Sequence, residues 1–384
     1  MRLSGIRKPP QFGRKLPAGG RNGLEGWKTG AAFGRGLPYR MRRPGTEMSC
    51  GNTISHKEGS REMAFTVFYT VQINDVATKI FEAAGGKAVV TDHFFDEAGY
   101  IEELKQLQPE AIMCRTEPVT AAMMDAAGPN LKVIGKQGAG LDNIDIEAAT
   151  ARKIRVVYAP GQNAQSVAEQ AAFLMLACAR RFNYVDRQFR SGNYKVRFGL
   201  EHTYELQGKT LGLVGCGRIG RMLATIAKHG FGMNVIGYDP YLKQEQLGDL
   251  ITLVENQDEV FKQADFVSLH TPLTPETEHS IGMREFKLMK PTASFINASR
   301  GEVVNEAELI QAMQEGVINC AGLDVTEKEP LPLDSPLYSL DNVILTPHTA
   351  ATTEQSVIRC CETVANDICA VIDGKDAKFA ANKF

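Results

Sequence analysis

Glycines at a fixed spacing mark one place in this sequence where a nucleotide could bind. The run Leu211–Gly220 reads LGLVGCGRIG, in which Gly215, Gly217 and Gly220 are spaced GxGxxG. The first glycine allows a tight turn, the second lets the backbone approach a pyrophosphate closely, and the third lets a helix pack closely on a strand. The run follows a strand-like stretch and opens a helical one, whose free N–H groups attract phosphate oxygens. The spacing therefore predicts a dinucleotide site.

An acidic residue follows at the distance that such a site needs. Asp239 lies nineteen residues beyond Gly220, at the end of the next strand-like run. A carboxylate there accepts hydrogen bonds from adenosine ribose hydroxyls and repels a 2′-phosphate, which favours NAD over NADP. No arginine follows in the segment 239–243 to neutralise such a phosphate. A glycine-rich turn with a capping aspartate is the structural alternative.

Three polar residues of complementary chemistry follow later strand-like runs, namely Arg300, Glu329 and His348. Histidine titrates near neutral pH and can take the proton of a substrate hydroxyl as hydride leaves. A carboxylate beside it would fix its tautomer, and a guanidinium can grip a substrate carboxylate through two parallel bonds. The set indicates hydride transfer between a hydroxy acid and NAD. Glu327 is an equally placed alternative to Glu329.

Strand-like runs alternate with helical segments through the second half of the chain and would bring these residues to one edge of a sheet. The predicted strands are Thr210–Val214, Asn234–Tyr238, Phe266–Leu269, Ala293–Asn297, Cys320–Asp324 and Val343–Leu345. A helix is predicted over Arg218–His229. This alternation predicts a doubly wound parallel sheet, which binds ligands at the carboxyl ends of its strands.

A similar α/β series precedes it. The predicted strands of this first half are Phe65–Val71, Ala88–Thr91, Ala111–Arg115, Lys132–Lys136 and Val156–Tyr158. Between the two halves, the sequence predicts one long helix over Ser166–Phe182. Because this helix is apolar on almost all sides, we expect it to be buried against another domain or subunit. The last helix, Thr353–Asp373, cannot form a domain alone, so we expect it to pack on the first half.

These patterns predict an α/β protein of two Rossmann-like or flavodoxin-like domains with parallel sheets. The NAD-binding domain, residues 166–349, would be inserted into a substrate-binding domain made of residues 63–165 and 350–384. Each half is long enough to bury a core of its own.

The first 47 residues differ in composition from the rest. They hold eleven Lys and Arg against two acids, and ten Gly with five Pro. So few apolar residues cannot offset the chain entropy, and we predict that residues 1–62 are a disordered basic extension. A transit peptide and a nucleic-acid-binding arm are alternatives. Met63, directly before the first predicted strand, favours an extension without function that arises from an upstream start codon.

Overall composition excludes several classes of protein. The formal net charge of −2 gives no drive toward nucleic acid, and no apolar run is long enough to cross a membrane. The eight cysteines form no CxxC pair. We therefore expect no disulfide framework and no metal site, and a reducing, cytoplasmic location.

From about Thr66 to Gly374 the chain resembles the D-isomer-specific 2-hydroxyacid dehydrogenase family. The segments that carry the resemblance are 138–145, 163–169, 215–220 with Asp239, 297–302, 322–330 and 346–348. By this resemblance Arg300 binds the substrate, and Glu329 rather than Glu327 is the partner of the acid/base His348. It also implies a homodimer joined across the NAD-binding domain, partly by the long helix.

The resemblance implies further contacts with the ligands. The predicted cofactor contacts beyond the glycines and Asp239 are Arg218, Ile219, Thr271, Ala298 and Asp324. The backbone of Gly138, Ala139 and Gly140 would hold the substrate carboxylate.

The substrate is indicated by the loop of residues 113–120, which is similar to that of 3-phosphoglycerate dehydrogenases. Arg115 and Thr116 match a phosphate site, whereas the Glu117 carboxylate would weaken anion binding. We expect 3-phosphoglycerate and 3-phosphohydroxypyruvate as the substrate pair, in a short form without a regulatory domain after His348. Reduction of glyoxylate, hydroxypyruvate or another 2-keto acid is the alternative. An NAD-sensing scaffold similar to the C-terminal-binding corepressors is an alternative of another class.

Overall fold

The computed structural model describes residues 65–72 and 74–384, and the predicted extension 1–62 lies outside them, as does Met63. Within these residues, twelve strands form two sheets in which all strands are parallel. The five-stranded sheet holds β1 (Phe65–Tyr69), β2 (Gly86–Val90), β3 (Ala111–Cys114), β4 (Val133–Lys136) and β5 (Arg155–Tyr158). The seven-stranded sheet holds β6 (Thr210–Val214), β7 (Asn234–Tyr238), β8 (Thr252–Leu253), β9 (Phe266–Leu269), β10 (Ser294–Asn297), β11 (Cys320–Leu323) and β12 (Val343–Leu345).

Eleven α-helices connect and cover the strands in this part of the chain. They are α1 (Asp75–Ala83), α2 (Glu97–Leu107), α3 (Ala121–Ala127), α4 (Ile146–Ala151), α5 (Ala164–Ala179), α6 (Phe182–Arg190), α7 (Arg218–Thr225), α8 (Gln257–Gln263), α9 (Met283–Leu288), α10 (Glu306–Gln314) and α11 (Glu354–Ile372). We call the first sheet with α1–α4 and α11 the first lobe, and the second sheet with α5 and α7–α10 the second lobe.

The first lobe is a three-layer sandwich with strand order β2-β1-β3-β4-β5. Successive side chains of a strand point to opposite faces, so Val67 packs with α1 and α11 whereas Phe68 packs with α2 and α3. Because helices cover both faces, the strands are apolar almost throughout. All five strands expected in the first half are present.

Helix α11 returns to the first lobe after the second sheet is complete. Its residues Cys361, Val364 and Ile368 are buried among the strands and α1. A Cβ on Gly135 in β4 would come within 2.6 Å of the Val364 and Ile368 side chains, so this glycine lets the helix approach. The insertion of one α/β unit into the other is therefore present in the fold.

The residues after α11 add an antiparallel segment to the free edge of β5. The Ala381 N–H donates to the Val156 carbonyl, and the Tyr158 N–H donates to the Phe379 carbonyl. Asn382 is buried and its side chain bonds the backbone of Val156 and Ile154.

The second lobe has strand order β12-β11-β10-β9-β6-β7-β8, with α5 and α7 on one face and α8–α10 on the other. The prediction of six strands missed β8, an edge strand of two residues that is too short to show a pattern. The predicted helix Arg218–His229 ends as an α-helix at Thr225 and continues as a π-helical turn, Ile226–Gly230.

The prediction of one helix over Ser166–Phe182 was wrong at its end. The backbone of Arg181 takes a left-handed conformation with φ 49°, which stops α5 and starts α6 in a new direction. Helix α5 packs against the second sheet through residues such as Ala171, Leu174 and Cys178. Helix α6 has no buried residue.

Candidate active site

A cleft of about 1000 Å³ lies between the lobes, at the carboxyl ends of strands from both sheets. The first lobe contributes the loops after β3 and β4, and the second lobe contributes the loops after β9, β10, β11 and β12. Open parallel sheets bind ligands at this edge. Of the predicted site residues, those that line the cleft are Arg115, Thr116, Gly138, Ala139, Gly140, Ile219, Thr271, Ala298, Arg300, Asp324, Glu329 and His348. Gly215, Gly217, Arg218, Gly220 and Asp239 lie outside its lining.

The glycine loop joins β6 to α7, and each glycine has a distinct surrounding. Gly215 has φ 95°, and a Cβ there would meet the backbone of His270 at 2.7 Å. Gly220 packs directly on the carbonyl of Gly215. At Gly217 a Cβ would meet nothing within 4 Å, and this residue caps α7 without a side-chain hydrogen bond. The backbone over Gly217 is thus open to a ligand, as a pyrophosphate cradle requires.

Asp239 is held beside this loop by backbone donors. Its Oδ2 accepts from the Cys216 N–H at 2.9 Å, and its Oδ1 accepts from the Tyr241 N–H at 3.0 Å. A carboxylate oxygen has more than one lone-pair site, so both oxygens can still accept from ribose hydroxyls.

Two polar atoms beside the loop lack partners and fit a dinucleotide. Among the described residues, Thr271 Oγ1 and His270 Nδ1 are buried without a hydrogen bond. Buried polar atoms are nearly always paired, so atoms of this kind in a cleft indicate a missing ligand. Burial lowers the pKa of His270 to about 4, and its Nε2 lies 3.0 Å from Ser268 Oγ. The open cradle and these atoms together fit NAD.

His348 and Glu329 form the acid/base pair of the cleft. Nδ1 of His348 lies 2.7 Å from Oε2 of Glu329, and both side chains are part-buried. Glu327 instead lies 3.2 Å from His279 and accepts from the N–H of Glu306. The geometry therefore pairs His348 with Glu329 and not with Glu327.

The backbone around His348 is tightly held. His348 itself has φ 50°, a left-handed conformation that costs a non-glycine residue on the order of 1 kcal/mol. Its N–H donates to the Asp324 carbonyl at 2.7 Å. The Asp324 carboxylate accepts from Thr346 Oγ1 and from the N–H groups of Thr349 and Ala350. In this structure Asp324, which was predicted as a cofactor contact, fixes the segment that carries the histidine.

Arg300 projects into the cleft because the turn after β10 is fixed by Asn297. The Asn297 side chain accepts from the Ser299 N–H and donates to the Arg300 carbonyl. The Arg300 guanidinium then crosses to the first lobe, where Nε donates to Asp142 Oδ1 at 2.9 Å and Nη2 lies against Gly140. Burial is the largest single influence on the pKa of Asp142 and raises it. The charges of Arg300 and Lys136 and the hydrogen bonds to the carboxylate together outweigh burial, so the pKa is lowered.

The loop after β3 is built around two buried charged residues, Glu117 and Lys136. Glu117 is only 2% exposed and points into the first lobe, where it accepts from Thr70 Oγ1 and from the Arg115 N–H. Glu117, whose carboxylate was expected to weaken anion binding, is not among the residues that line the cleft. The Arg115 guanidinium donates to the His348 carbonyl at 3.2 Å and to Thr352 Oγ1 at 2.5 Å.

Two charged residues that hold other groups of the cleft in place, Lys136 and Asp142, are among those that the sequence did not single out. Lys136 lines the cleft at the end of β4, and its Nζ donates to the Arg115 carbonyl and to Asn143 Oδ1. Burial lowers its pKa. Asp142, the partner of Arg300, is the other. The position of Lys136 at the end of an apolar strand was a signal in the sequence that could have revealed it. Nothing near Asp142 in the sequence indicates that it contacts Arg300.

The described residues contain no group of three or more His, Cys, Asp or Glu that could hold a metal ion. In the same part of the chain, no helix combines the length and apolarity needed to cross a bilayer.

Two lobes of parallel sheet, a dinucleotide loop and a histidine–carboxylate pair in one cleft define a class of nicotinamide-dependent enzymes. Residues 172–350 match the family model described as "D-isomer specific 2-hydroxyacid dehydrogenase, NAD binding domain". Together with the relatives below, this match shows that the chain belongs to the D-isomer-specific 2-hydroxyacid dehydrogenase family. The resemblance, the fold class and the NAD cofactor expected from the sequence are thereby confirmed.

Individual relatives carry two different names. The D-3-phosphoglycerate dehydrogenase of Methanocaldococcus jannaschii is 42% identical over 318 residues, which cover 82% of this chain and 59% of that protein. The glyoxylate reductase of Thermococcus litoralis is 39% identical over 322 residues, which cover 83% of this chain and 96% of that protein. The NAD⁺-bound 3-phosphoglycerate dehydrogenase structure of Entamoeba histolytica aligns with a TM-score of 0.69 at 29% identity, covering 83% and 99% of the two chains.

Proposed function

We propose that this chain is an NAD-dependent D-2-hydroxyacid dehydrogenase that transfers hydride between C2 of a 2-hydroxy acid and nicotinamide. The observation that carries the proposal is the 2.7 Å pair of His348 and Glu329 in the same cleft as Arg300. Residues 166–349 would bind NAD, and residues 63–165 with 350–384 would bind the substrate. A scaffold that only senses NAD does not need this pair together with a substrate-sized cleft.

The chain's own residues supply proton transfer and orientation. Because Glu329 engages Nδ1 of His348, Nε2 is the atom that exchanges a proton with the substrate hydroxyl or carbonyl oxygen. Glu329 stabilises the imidazolium formed when the hydroxyl is deprotonated. Nη2 of Arg300, beside Gly140, would grip the substrate carboxylate with the backbone of Gly138–Gly140. The Gly215–Gly220 loop, Asp239 and Thr271 would hold NAD, which would serve as the hydride acceptor.

For the substrate we propose 3-phosphoglycerate and its keto acid, 3-phosphohydroxypyruvate. Two cations, Lys136 and Arg115, stand in the wall of the cleft beside Thr116, and the nearby Glu117 carboxylate is turned away. A phosphate would gain from both charges in a partly buried site. The name of the Methanocaldococcus relative agrees with this choice, although the chain spans only 59% of that protein.

Glyoxylate or hydroxypyruvate is the second candidate, and a specific observation favours it. The Arg115 guanidinium is already bonded to His348 and Thr352. The Lys136 ammonium is likewise bonded, to the Arg115 carbonyl and to Asn143 Oδ1, so both cations of this wall already have partners in the protein. The chain also covers 96% of the Thermococcus glyoxylate reductase.

Oxidation of NADH tests these choices directly. The initial rate is measured with 3-phosphohydroxypyruvate, hydroxypyruvate, glyoxylate and pyruvate, and His348→Ala is the control. We expect turnover with a preference for the phosphorylated acid, and loss of turnover in His348→Ala with NADH binding retained. Preference for an unphosphorylated acid would select the second candidate. NADH binding without turnover of any 2-keto acid would select the scaffold.

We also propose that two copies associate through the NAD-binding domain. Helix α6 and the turn after it expose the aromatic side chains Phe182, Phe189, Tyr194 and Phe198, the last of them 80% exposed. Phe173 on the adjoining α5 is also exposed. Exposed aromatic side chains that follow one another along a helix and the turn after it are typical of an interaction surface. Light scattering should give twice the chain mass, and Phe189→Glu with Phe198→Glu should give the single mass.

A cytoplasmic location is part of the same proposal. Seven cysteines lie in the described chain and all of them are free thiols. Thiols that remain free agree with a reducing compartment. Fractionation of the source cells would test the location.

A further inference from the structure

Arg115 lies in the substrate loop of the first lobe, but its side chain ends on the segment that carries the catalytic histidine. Nη2 donates to the main-chain carbonyl of His348 at 3.2 Å and to Thr352 Oγ1 at 2.5 Å. We propose that Arg115 is a latch: when the lobes are closed, it positions His348 for proton transfer. This inference rests on the proposed dehydrogenase function and adds a positioning residue to it.

The backbone of Arg115 is clamped from both sides by the first lobe. Its N–H donates to Glu117 Oε2 at 3.0 Å, and its carbonyl accepts from Lys136 Nζ and from Asn143 Nδ2. Glu117 and Lys136 are 2% and 6% exposed, and burying such charges is costly. These hydrogen bonds from buried charged residues fix the Arg115 backbone, and they thereby fix the direction in which the Arg115 side chain extends from the loop.

The target of the latch is the part of the His348 segment that most needs support. His348 has the left-handed φ of 50°, which is sparsely populated and persists only when its surroundings hold it. Asp324 fixes the His348 N–H, and Glu329 fixes the ring. Both of these partners belong to the second lobe. Arg115 holds the carbonyl and comes from the first lobe.

This difference in origin couples closure to chemistry. When the lobes separate, the bonds from Asp324 and Glu329 travel with His348, but the bond from Arg115 must break. The histidine therefore reaches its fully supported position when the cleft is closed around a substrate. Proton transfer tolerates little misplacement of the reacting groups, so the latch acts on kcat.

Thr352 makes the latch testable without entering the substrate pocket, because it does not line the cleft. Thr352→Val removes the hydroxyl that anchors the guanidinium, and Thr352→Ser keeps it. We expect Thr352→Val to lower kcat about fivefold to tenfold with glyoxylate and with 3-phosphohydroxypyruvate alike, at nearly constant KM. Thr352→Ser should behave as the wild type. Arg115→Gln should lower kcat with both acids, and Thr352→Val should add little to it.

The opposite pattern would overturn the latch. If Thr352→Val has wild-type kcat and Arg115→Gln raises only the KM of the phosphorylated acid, Arg115 serves the substrate phosphate instead. Arg152→Gln is the matched control for the lost charge, since this exposed arginine pairs with Asp125 away from the cleft. NADH binding and thermal unfolding midpoints verify that each variant is folded.

Small-angle scattering gives a readout that does not depend on turnover. Arg115→Gln removes the bond that crosses the lobes to the His348 carbonyl and should raise the radius of gyration of the free protein, whereas the control Arg152→Gln should not. A wild type without any turnover would refute the proposed function. If the wild type shows no turnover and the radius of gyration of Arg115→Gln equals that of the wild type, the latch would be refuted as well.

Discussion

A part-buried histidine beneath the glycine loop, His270, should make the stability of this protein depend on pH. Burial lowers the pKa of His270 from 6.5 to about 4. Between about pH 6.5 and about pH 4 the unfolded chain binds a proton at this ring while the folded chain does not. The free energy of unfolding therefore decreases as the pH is lowered through this range. The difference of about 2.5 pH units corresponds to about 3 kcal/mol once the pH is below 4, and to about 2 kcal/mol at pH 5.

His270→Gln removes this titration and keeps a polar side chain near Ser268. The assay is the free energy of unfolding in urea at about pH 7.5 and about pH 5, for the wild type and the variant. Between about pH 7.5 and about pH 5, we expect the free energy of unfolding of the wild type to decrease by about 2 kcal/mol more than that of the variant. This difference does not depend on how stable the variant is at neutral pH. His229→Gln, at an exposed histidine, should show no such difference. Parallel losses in wild type and His270→Gln would refute the reasoning.

Three further substitutions test other parts of the structure. Asp239→Ala should lower the preference for NADH over NADPH in kcat/KM, because the repulsion of a 2′-phosphate is lost; an unchanged ratio would contradict its role. Gly140→Ala should lower kcat about tenfold or more with NADH binding retained, because a Cβ would take the space of the Arg300 guanidinium. Asn382→Ala should reduce the free energy of unfolding by about 2 kcal/mol in urea, since buried backbone groups of Val156 and Ile154 lose their partner. Wild-type kcat in Gly140→Ala, or wild-type stability in Asn382→Ala, would be evidence against these contacts.

Sequence reasoning succeeded where the information is local. The spacing of Gly215, Gly217 and Gly220 and the distance to Asp239 are set by one strand–helix–strand unit, so they can be read along the chain. The choice between Glu327 and Glu329 was not local. A single residue separates these acids in sequence, and only the fold of the turn after β11 decides which one faces His348.

Features that depend on distant partners could not be predicted. Asp142 contacts Arg300, which lies 158 positions further along the chain, and Arg115 contacts His348, which lies 233 positions further along. The break between α5 and α6 occurs at Arg181, without a glycine or proline to announce it. The inward orientation of Glu117 depends on Thr70, which belongs to another strand end.

The return of α11 to the first sheet also sets an order on folding. Strands β1–β5 leave the ribosome before the second lobe, but one face of their sheet is covered only in part, by α1, until α11 has been made. The second lobe is continuous and can fold as soon as its own residues are available. Closing the first lobe requires contacts between residues far apart along the chain, which is intrinsically slow. We therefore expect the nucleotide-binding half to fold first and the substrate-binding half to be the slow, aggregation-sensitive step of synthesis.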